Sequence, residues 1–405
     1  MTSGIFSSAL FTQDLARKSF SGMITRLMPN GTAPLFALTS MLKTEIALQF
    51  EHGFFTKTML FPQLTLGASA LSTDTTLTVA STLNALPGMI MRVQSTFENI
   101  IINAILSATS VSVTRGVGTT AAAAINSAVN LYQVGNAFEE SSLRPTALAI
   151  NPVRITNYTQ IFRNTWAISG SVEATQMLVG ESNVSENRQD CAAFHAADIE
   201  KALFFGQKSL SSRNGQPFRT MDGLINIVSQ LGNYPSSYSA TNVTTAGATT
   251  NYTQFETALD PVFNQTTDPK VANERLLFVG GIAKRVLTAI GRLNGTYFMV
   301  DGQTNWGLQF TTFKTSRGTF RMIEHPLFNT NADWGAMAVA VDLSTFNVAY
   351  LGARKTMNRE FNMDGEAVDN GIDAVGGTLT TELTTEVKNP PANAVIYGLT
   401  AGATG

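Results

Sequence analysis

Charge is what this 405-residue chain has least of: 27 Lys and Arg with 29 Asp and Glu make up 14% of it, for a formal net charge of −2. An ordinary soluble protein carries about 25%. So near-neutral a balance supplies no global basic field, which disfavours a strong nucleic-acid binder. Cysteine is nearly absent. The single Cys191 cannot close an internal disulfide, which excludes a disulfide-stapled secreted scaffold. Histidine occurs only at 52, 195 and 325, so no clustered Cys/His metal site is expected. No apolar run reaches the roughly 18 residues of a membrane span. In the opening MTSGIFSSALFTQDLARK, Asp14, Arg17 and Lys18 interrupt the chain short of a signal-peptide core. The chain is read as made in the cytosol.

Hydrophobic residues make up 44% of the sequence, which excludes a disordered chain, and Thr, Asn, Ser and Gln fill the place of the missing charge. A large protein with so few solvating charges is expected to bury much of its surface against partners. Its length is two to three times that of a typical domain, so one undivided core is not expected.

Residues 1 to about 60 read as an arm with short helices. Phe11, Leu15, Ile24 and Leu27 fall on one face, and after Ala33-Pro34 a second helix is expected with Leu35, Leu38, Leu42 and Ile46 at helical spacing. Five basic residues against three acidic ones give the arm a faint basic bias, by default a solvated face. Between 66 and 140 the runs TTLTVAS, MIMRVQS, NIIINAI, SVSVTRG and NLYQVGN are broken by glycines and Leu86-Pro87-Gly88. Five short strands so spaced predict a compact β-barrel or sandwich. HGFFTKTMLFPQ before it and PVRITNYTQIFRNTWAIS after it read as extended strands, hence a two-stranded excursion with the β domain at its tip.

The strongest helix follows. Asn183 with Glu186 has the form of a capping box, with Ser182 and Ser185 as alternative caps. Ala192, Ala196, Ile199 and Leu203 form the expected apolar face, opposite Arg188, Asp198 and Lys201, and Gly206 is the stop. Residues 207–350 alternate helix and strand. Leu276–Val279 is a buried-type strand leading into a helix with Val286, Leu287, Ile290 and Leu293 on one face. LQFTTFKT, GTFRMIEH and GAMAVAVDLSTFNVAYLG read as strands, whereas 233–251 reads as a polar loop outside the core. In Leu379–Lys388 the residues Leu379, Leu383 and Val387 alternate with Thr380, Glu382, Thr384 and Glu386, predicting a strand with one polar face. Ala394–Leu399 is a further strand.

Chemical signals are weak. Cys191 and His195, four apart on the predicted helix, share a face, but a nucleophile and base need an orienting third group and an oxyanion hole. A packed helix face is the expectation. Gly116 and Gly118 in TRGVGTT lack the Gly-Lys-Ser/Thr ending of a phosphate loop and are expected to be a turn. Glu139 and Glu140, adjacent on a strand, would point to opposite faces. Sequons such as those at Asn157 and Asn294 are taken as chance in a Thr/Asn-rich chain. No catalytic constellation is legible.

The order of elements, and the strings that fill it, resemble one family. These strings are GTAPLFALTSML, LPGMIMRV, SVSVTRGVGTTAAA, NYTQIFRNTWAISGSVEATQ, DIEKALFFG, GQTNWGLQFTTFKTSRGTFRMIEHPLF, VAYLGARK and LTTELTTEVKNPPANAVIYGL, and they span about nine tenths of the chain. Each is weak alone, but together and in this order they resemble tailed-bacteriophage major capsid proteins of the Hong Kong 97-type fold, in the podophage-type subfamily with a small β domain in the extended loop. The resemblance implies an α+β fold. Residues 1–49 would be an N-terminal arm, 50–66 and 141–175 the extended loop, and 67–140 an inserted small β-barrel. Residues 176–222 and 351–405 would form a peripheral domain with a spine helix, and 223–350 an axial domain.

It implies a structural subunit, not an enzyme, with no catalytic, cofactor-binding or metal-binding residues and no cofactor. The subunit would self-assemble into pentamers and hexamers of an icosahedral virion enclosing packaged double-stranded DNA, within the host bacterial cytoplasm. Implied partners are other copies of the chain, a scaffolding protein and portal, optionally a decoration protein, and DNA through sequence-independent contacts, with no membrane. Some family members begin with a long charged scaffolding segment that is later cleaved. Here about 49 residues precede the loop, so separate scaffolding and no large maturation cleavage are expected. The type member's Lys–Asn crosslink does not transfer, since nothing in the local sequence shows that Lys57 meets a suitable Asn. A tail fibre or adhesin would share the composition but should show repeats, and none is visible. An encapsulin-type shell would share the fold.

Overall fold

The computed structural model describes residues 34–41, 44–57, 62–83, 85–145, 147, 152–175, 182–233, 241–247, 250–264, 273–293, 304–305, 308–309, 311–361, 373–400 and 403–404. It divides into two compact units: Lys57–Val153, and a body formed by Met1–Thr56 with Arg154–Gly405.

The body's first sheet is organised by the 14-residue strand Ala374–Val387. One edge of it pairs antiparallel with Gln160–Ser169. The other takes Met357–Phe361 and then Phe346–Leu351, to which Glu45–Ala47 adds in parallel. Leu383 and Val387 enter the main core. The alternate residues Thr380, Glu382, Thr384 and Glu386, expected to face water, are all buried. That correction has an electrostatic cause. Arg219 and Arg354, from other elements, and Lys388, just past the strand's end, pair with the carboxylates of this face, replacing hydration with ion pairs.

The spine helix Asn183–Phe205 is capped by Ser182, whose hydroxyl accepts from the Ser185 N–H at 3.1 Å. Its buried stripe is rotated from the expected one. Ala192 is exposed and Ala196 half-buried, while Cys191, His195, Ile199 and Leu203 run along the buried line with Glu200 and Phe204 beside them. Two polar groups on that line misled the pattern, because an apolar count assigns His and Glu to water. Gly206 ends the helix for lack of room rather than by left-handed geometry: a Cβ there would stand 2.6 Å from both the Ala202 and Met221 carbonyl oxygens.

The second sheet has six strands in the order Val243–Thr245, Ala394–Tyr397, Ala338–Val341, Glu274–Val279, Thr319–Glu324 and Thr311–Lys314. Leu276, Phe278, Val339 and Val341 face the core shared with the spine helix. Leu277, Val279, Ala338 and Ala340 face helices Tyr252–Leu259 and Gly281–Leu293. Coverage on both faces is why these strands read as solid apolar runs. Helix Gly281–Leu293 buries Val286, Leu287 and Ile290 as expected, and the Leu293 side chain lies outside the described residues. The predicted polar loop 233–251 is corrected in part. Its β-branched Val243–Thr245 pairs in parallel with Val395–Tyr397, and Asn242 and Thr250 are buried.

Of the predicted arm helices, the one bearing Phe11, Leu15, Ile24 and Leu27 lies outside the described residues, as does Leu42. The second is Pro34–Met41, with Leu35 and Leu38 in the main core. Ile46 lies instead in strand Glu45–Ala47 and is 62% exposed.

The chain leaves the body along Glu51–Thr56 and returns along Val153–Tyr158, which pair with each other. Between them, the unit Lys57–Val153 holds six strands in the order Gln63–Thr65, Asn130–Asn136, Met89–Val93, Asn99–Ser107, Ser110–Thr114 and Thr76–Thr78. Five match the runs read from the sequence, and Gln63–Thr65 is additional. The two end strands are joined through a Leu66–Val79 bridge and 2.8 Å bonds from the Gly67 N–H to Thr78 and from the Ala80 N–H to Thr65. Alternate residues such as Leu64, Met91, Ile100 and Val111 fill a separate core. Glu139 and Glu140 are not on a strand; they lie exposed at a turn after Asn136.

Candidate functional site

Cys191 and His195 share a helix face but engage different partners. Cys191 packs with Trp166 and Leu379. The ring nitrogens of His195 lie 2.7 Å from Asn164 Oδ1 and 2.7 Å from Thr381 Oγ1. Burial holds the imidazole below its ordinary pKa, against the pull of Asp198, and raises the Cys191 thiol. A neutral imidazole and an un-ionised thiol make a packing pair rather than a nucleophile and base. Asn157, one of the sequon asparagines, is buried with its amide donating to Thr385 Oγ1 at 2.8 Å.

The glycine turn in TRGVGTT does cradle an anion, and the anion is the protein's own. Gly116 and Gly118 take φ of +64° and +102°. The Gly116 N–H donates to Glu98 Oε1 at 2.8 Å and the Ala123 N–H to Oε2 at 3.3 Å, while Arg115 forks onto both oxygens at 2.7 and 2.8 Å. Burial opposes the charge on Glu98, but the Arg115 and backbone donors outweigh it and hold its pKa below the usual carboxylate range.

In the body, buried carboxylates tie together segments far apart in the sequence. Glu200, on the spine helix, accepts from the Leu35 and Phe36 N–H groups at 2.8 and 2.7 Å and lies 2.7 Å from His325 Nε2. A carboxylate from another element thus caps helix Pro34–Met41, whose Pro34 has no N–H to satisfy. Glu382 accepts from the Thr159 hydroxyl at 2.9 Å, with Arg354 at 2.7 Å and Arg219 at 3.6 Å. Sequence reasoning missed these groups. The available signal was the scarcity of charge itself, since a carboxylate inside an apolar or Thr-rich run is a candidate for pairing.

Above Glu382 the surface turns apolar. The Arg219 guanidinium lies 5.0 Å from the Phe50 ring centroid, a cation–π contact. Arg219 belongs to the hairpin Ser209–Arg213/Gln216–Thr220, where it pairs with Leu210. The hairpin's Asn214-Gly215 turn has φ of +53° and +71°, the twist that a two-residue hairpin prefers. Leu48 (91% exposed), Phe50, Phe55, Leu210 and Phe218 all stand in solvent. Leu83, Leu143 and Phe97 do so in the smaller unit, and Phe97 holds a left-handed φ of +58° while exposed. Single exposed apolar side chains are ordinary. Several large ones gathered on the hairpin Ser209–Arg213/Gln216–Thr220 and along 48–55 mark surfaces for other proteins.

The class these features define is a structural protein that buries itself against neighbours. The family model described as "SU10 major capsid protein" matches residues 4–400. The major capsid protein of Pseudomonas phage PaMx41 is 36% identical, over 98% of this chain and 96% of its own length. Among solved structures, a Mycobacterium phage Cain chain aligns over 99% of both chains at 10% identity and a TM-score of 0.48. A capsid chain of a native GTA particle aligns over 96% of both at 10% identity and a TM-score of 0.47. The chain belongs to the SU10 major capsid protein family. Its role is structural rather than enzymatic: a phage capsid subunit that oligomerises into the capsid lattice of the virion.

Proposed function

We propose that this subunit forms an icosahedral shell of the Hong Kong 97-type fold, assembling into pentamers and hexamers around packaged double-stranded DNA. The observation that carries the reading is the pairing of a charge-poor chain with large apolar side chains exposed on the hairpin Ser209–Arg213/Gln216–Thr220, which Arg219 ties to the buried Glu382. A hairpin so tied keeps its shape before a neighbour arrives, which lowers the ordering cost of association. In this reading the unit Lys57–Val153 is a small β-barrel inserted in the extended loop formed by Glu51–Thr56 and Val153–Tyr158. The sheet around Ala374–Val387 with the spine helix is the peripheral domain, and the six-stranded sheet is the axial domain. Cys191 and His195 serve packing, and no residue is catalytic. Assembly takes place in the host bacterial cytoplasm with a separate scaffolding protein and a portal, optionally with a decoration protein. DNA is met through contacts that do not read sequence.

The arm divides in two. Residues 34–41 and 44–47 are integral to the body, since Leu35, Leu38 and Ala47 are buried in it. Residues 1–33 are the proposed clasp on a neighbouring subunit. Full-length chain, co-expressed with its scaffold, is expected to form closed particles of megadalton mass by light scattering and negative-stain microscopy. A chain lacking residues 1–33 is expected to melt cooperatively but fail to close. Particles of normal size from the truncated chain would remove the arm from the closure, and a full-length chain monomeric at every concentration would overturn the shell reading.

A further inference from the structure

Glu45, His52 and Glu386 come from three elements that sequence reading had no reason to join: the strand after the arm helix, the outgoing loop strand and the long central strand. Each offers one ligand atom, and the three atoms lie within 4.8 Å of one another. Glu386 is 1% exposed. Its Oε2 and the Nε2 of His52 are both buried without a hydrogen-bond partner among the described residues. Two unpaired ligand atoms aimed into one space are costly to leave so, because each forfeits its hydration.

The present cation there is Lys388, with Nζ 2.8 Å from Glu45 Oε1 and 3.6 Å from Glu386 Oε2. It satisfies Glu45 but is too far from Glu386 Oε2 for a hydrogen bond. Its side chain is 40% exposed, so its long flexible stem can swing out to water.

We propose that Glu45, His52 and Glu386 form a binding site for a divalent transition-metal ion, with zinc the best match, and that the ion displaces the Lys388 ammonium. One imidazole and two carboxylates suit zinc or cobalt better than calcium or magnesium, which take oxygen ligands. Around a tetrahedral ion with bonds of about 2.1 Å, ligand atoms sit roughly 3.4 Å apart. His52 Nε2 and Glu386 Oε1 are already 3.9 Å apart, so a small side-chain adjustment closes the set. A fourth position stays open to water. The ion would tie the post-arm strand and the loop root to the body, a role that goes beyond forming a shell and does not depend on it.

The test is calorimetric titration of chelator-treated full-length chain with Zn2+, and with Co2+ followed by its visible absorption. One equivalent per chain is expected, with the absorption of a low-coordinate nitrogen and oxygen site. His52→Ala, at a half-buried position that leaves the core untouched, is expected to weaken binding at least tenfold, and Glu386→Gln likewise. Lys388→Met, which removes the competing ammonium, is expected to tighten it. Less than one equivalent of Zn2+ bound, or wild-type affinity in folded His52→Ala, would overturn the proposal. So would weaker binding in Lys388→Met, since it would make the lysine a helper rather than a competitor.

Discussion

The two units bury charge in different ways. In Lys57–Val153 the buried carboxylate Glu98 finds its donors within 25 residues, from Arg115, Gly116 and Ala123. In the body, Glu200 reaches helix Pro34–Met41 across 165 residues and His325 across 125, and Glu382 reaches Thr159 across 223. The smaller unit satisfies its buried carboxylate locally and carries its own apolar core. The body cannot satisfy any of these groups until distant segments have closed on one another. The smaller unit should therefore behave as an independent cooperative unit, while the body should fold as one, slowed by its non-local pairings.

The largest expected effect comes from excision. Replacing 57–153 with a short Gly/Ser linker is expected to remove one calorimetric transition and leave the body's own. A chain that loses all cooperative unfolding would show that the body depends on the smaller unit, and the comparison would break.

Next comes Glu98→Gln, which leaves the Arg115 guanidinium its carbonyl partners but no counter-charge and is expected to cost the smaller unit about 3 kcal/mol. Denaturant melts should show the body's transition unmoved. The same carboxylate sets an acid response. Its folded pKa lies below the unfolded value of about 4.3, so its stabilisation is present above that pH and is lost as pH falls through the folded pKa. The smaller unit of the wild type should thus lose stability between about pH 5 and its acid limit, and Glu98→Gln should flatten that loss. An unchanged acid profile would mean that other carboxylates govern it.

The smallest effect is expected from Glu200→Gln, which keeps an acceptor for the helix cap but turns charged hydrogen bonds into neutral ones, at a cost of about 2–3 kcal/mol. That loss should fall on the body alone and should raise hydrogen exchange at Leu35 and Phe36. A cost spread over both transitions would erase the distinction between local and long-range satisfaction.

How much of this was legible before the structure follows the same division. The small β unit could be read almost strand by strand, because its runs alternate over short distances between glycine-bearing turns, and turn chemistry and period-two pattern act on neighbours in sequence. Helix Gly281–Leu293 and the run Leu276–Val279 were equally plain, since the run is apolar on both faces and the helix buries Val286, Leu287 and Ile290. The readings failed where a polar residue was buried. His195 and Glu200 rotated the apparent face of the spine helix. Glu382 and Glu386 made a buried strand look half-solvated, and Val243–Thr245 was lost in a Thr-rich stretch because its partner strand lies about 150 residues away.

What the sequence alone determined was the class of element in most places, the scarcity of charge that demands burial against partners, and the ordered strings that resemble a capsid family. Only the tertiary structure decided which carboxylates lie inside, which cations cover them, and that Glu45, His52 and Glu386 meet. Periodicity reports how a segment divides between water and interior when apolar atoms go in and polar atoms stay out. A buried charge breaks that rule only once its counter-charge arrives, and that partner comes from a part of the chain that local pattern cannot see.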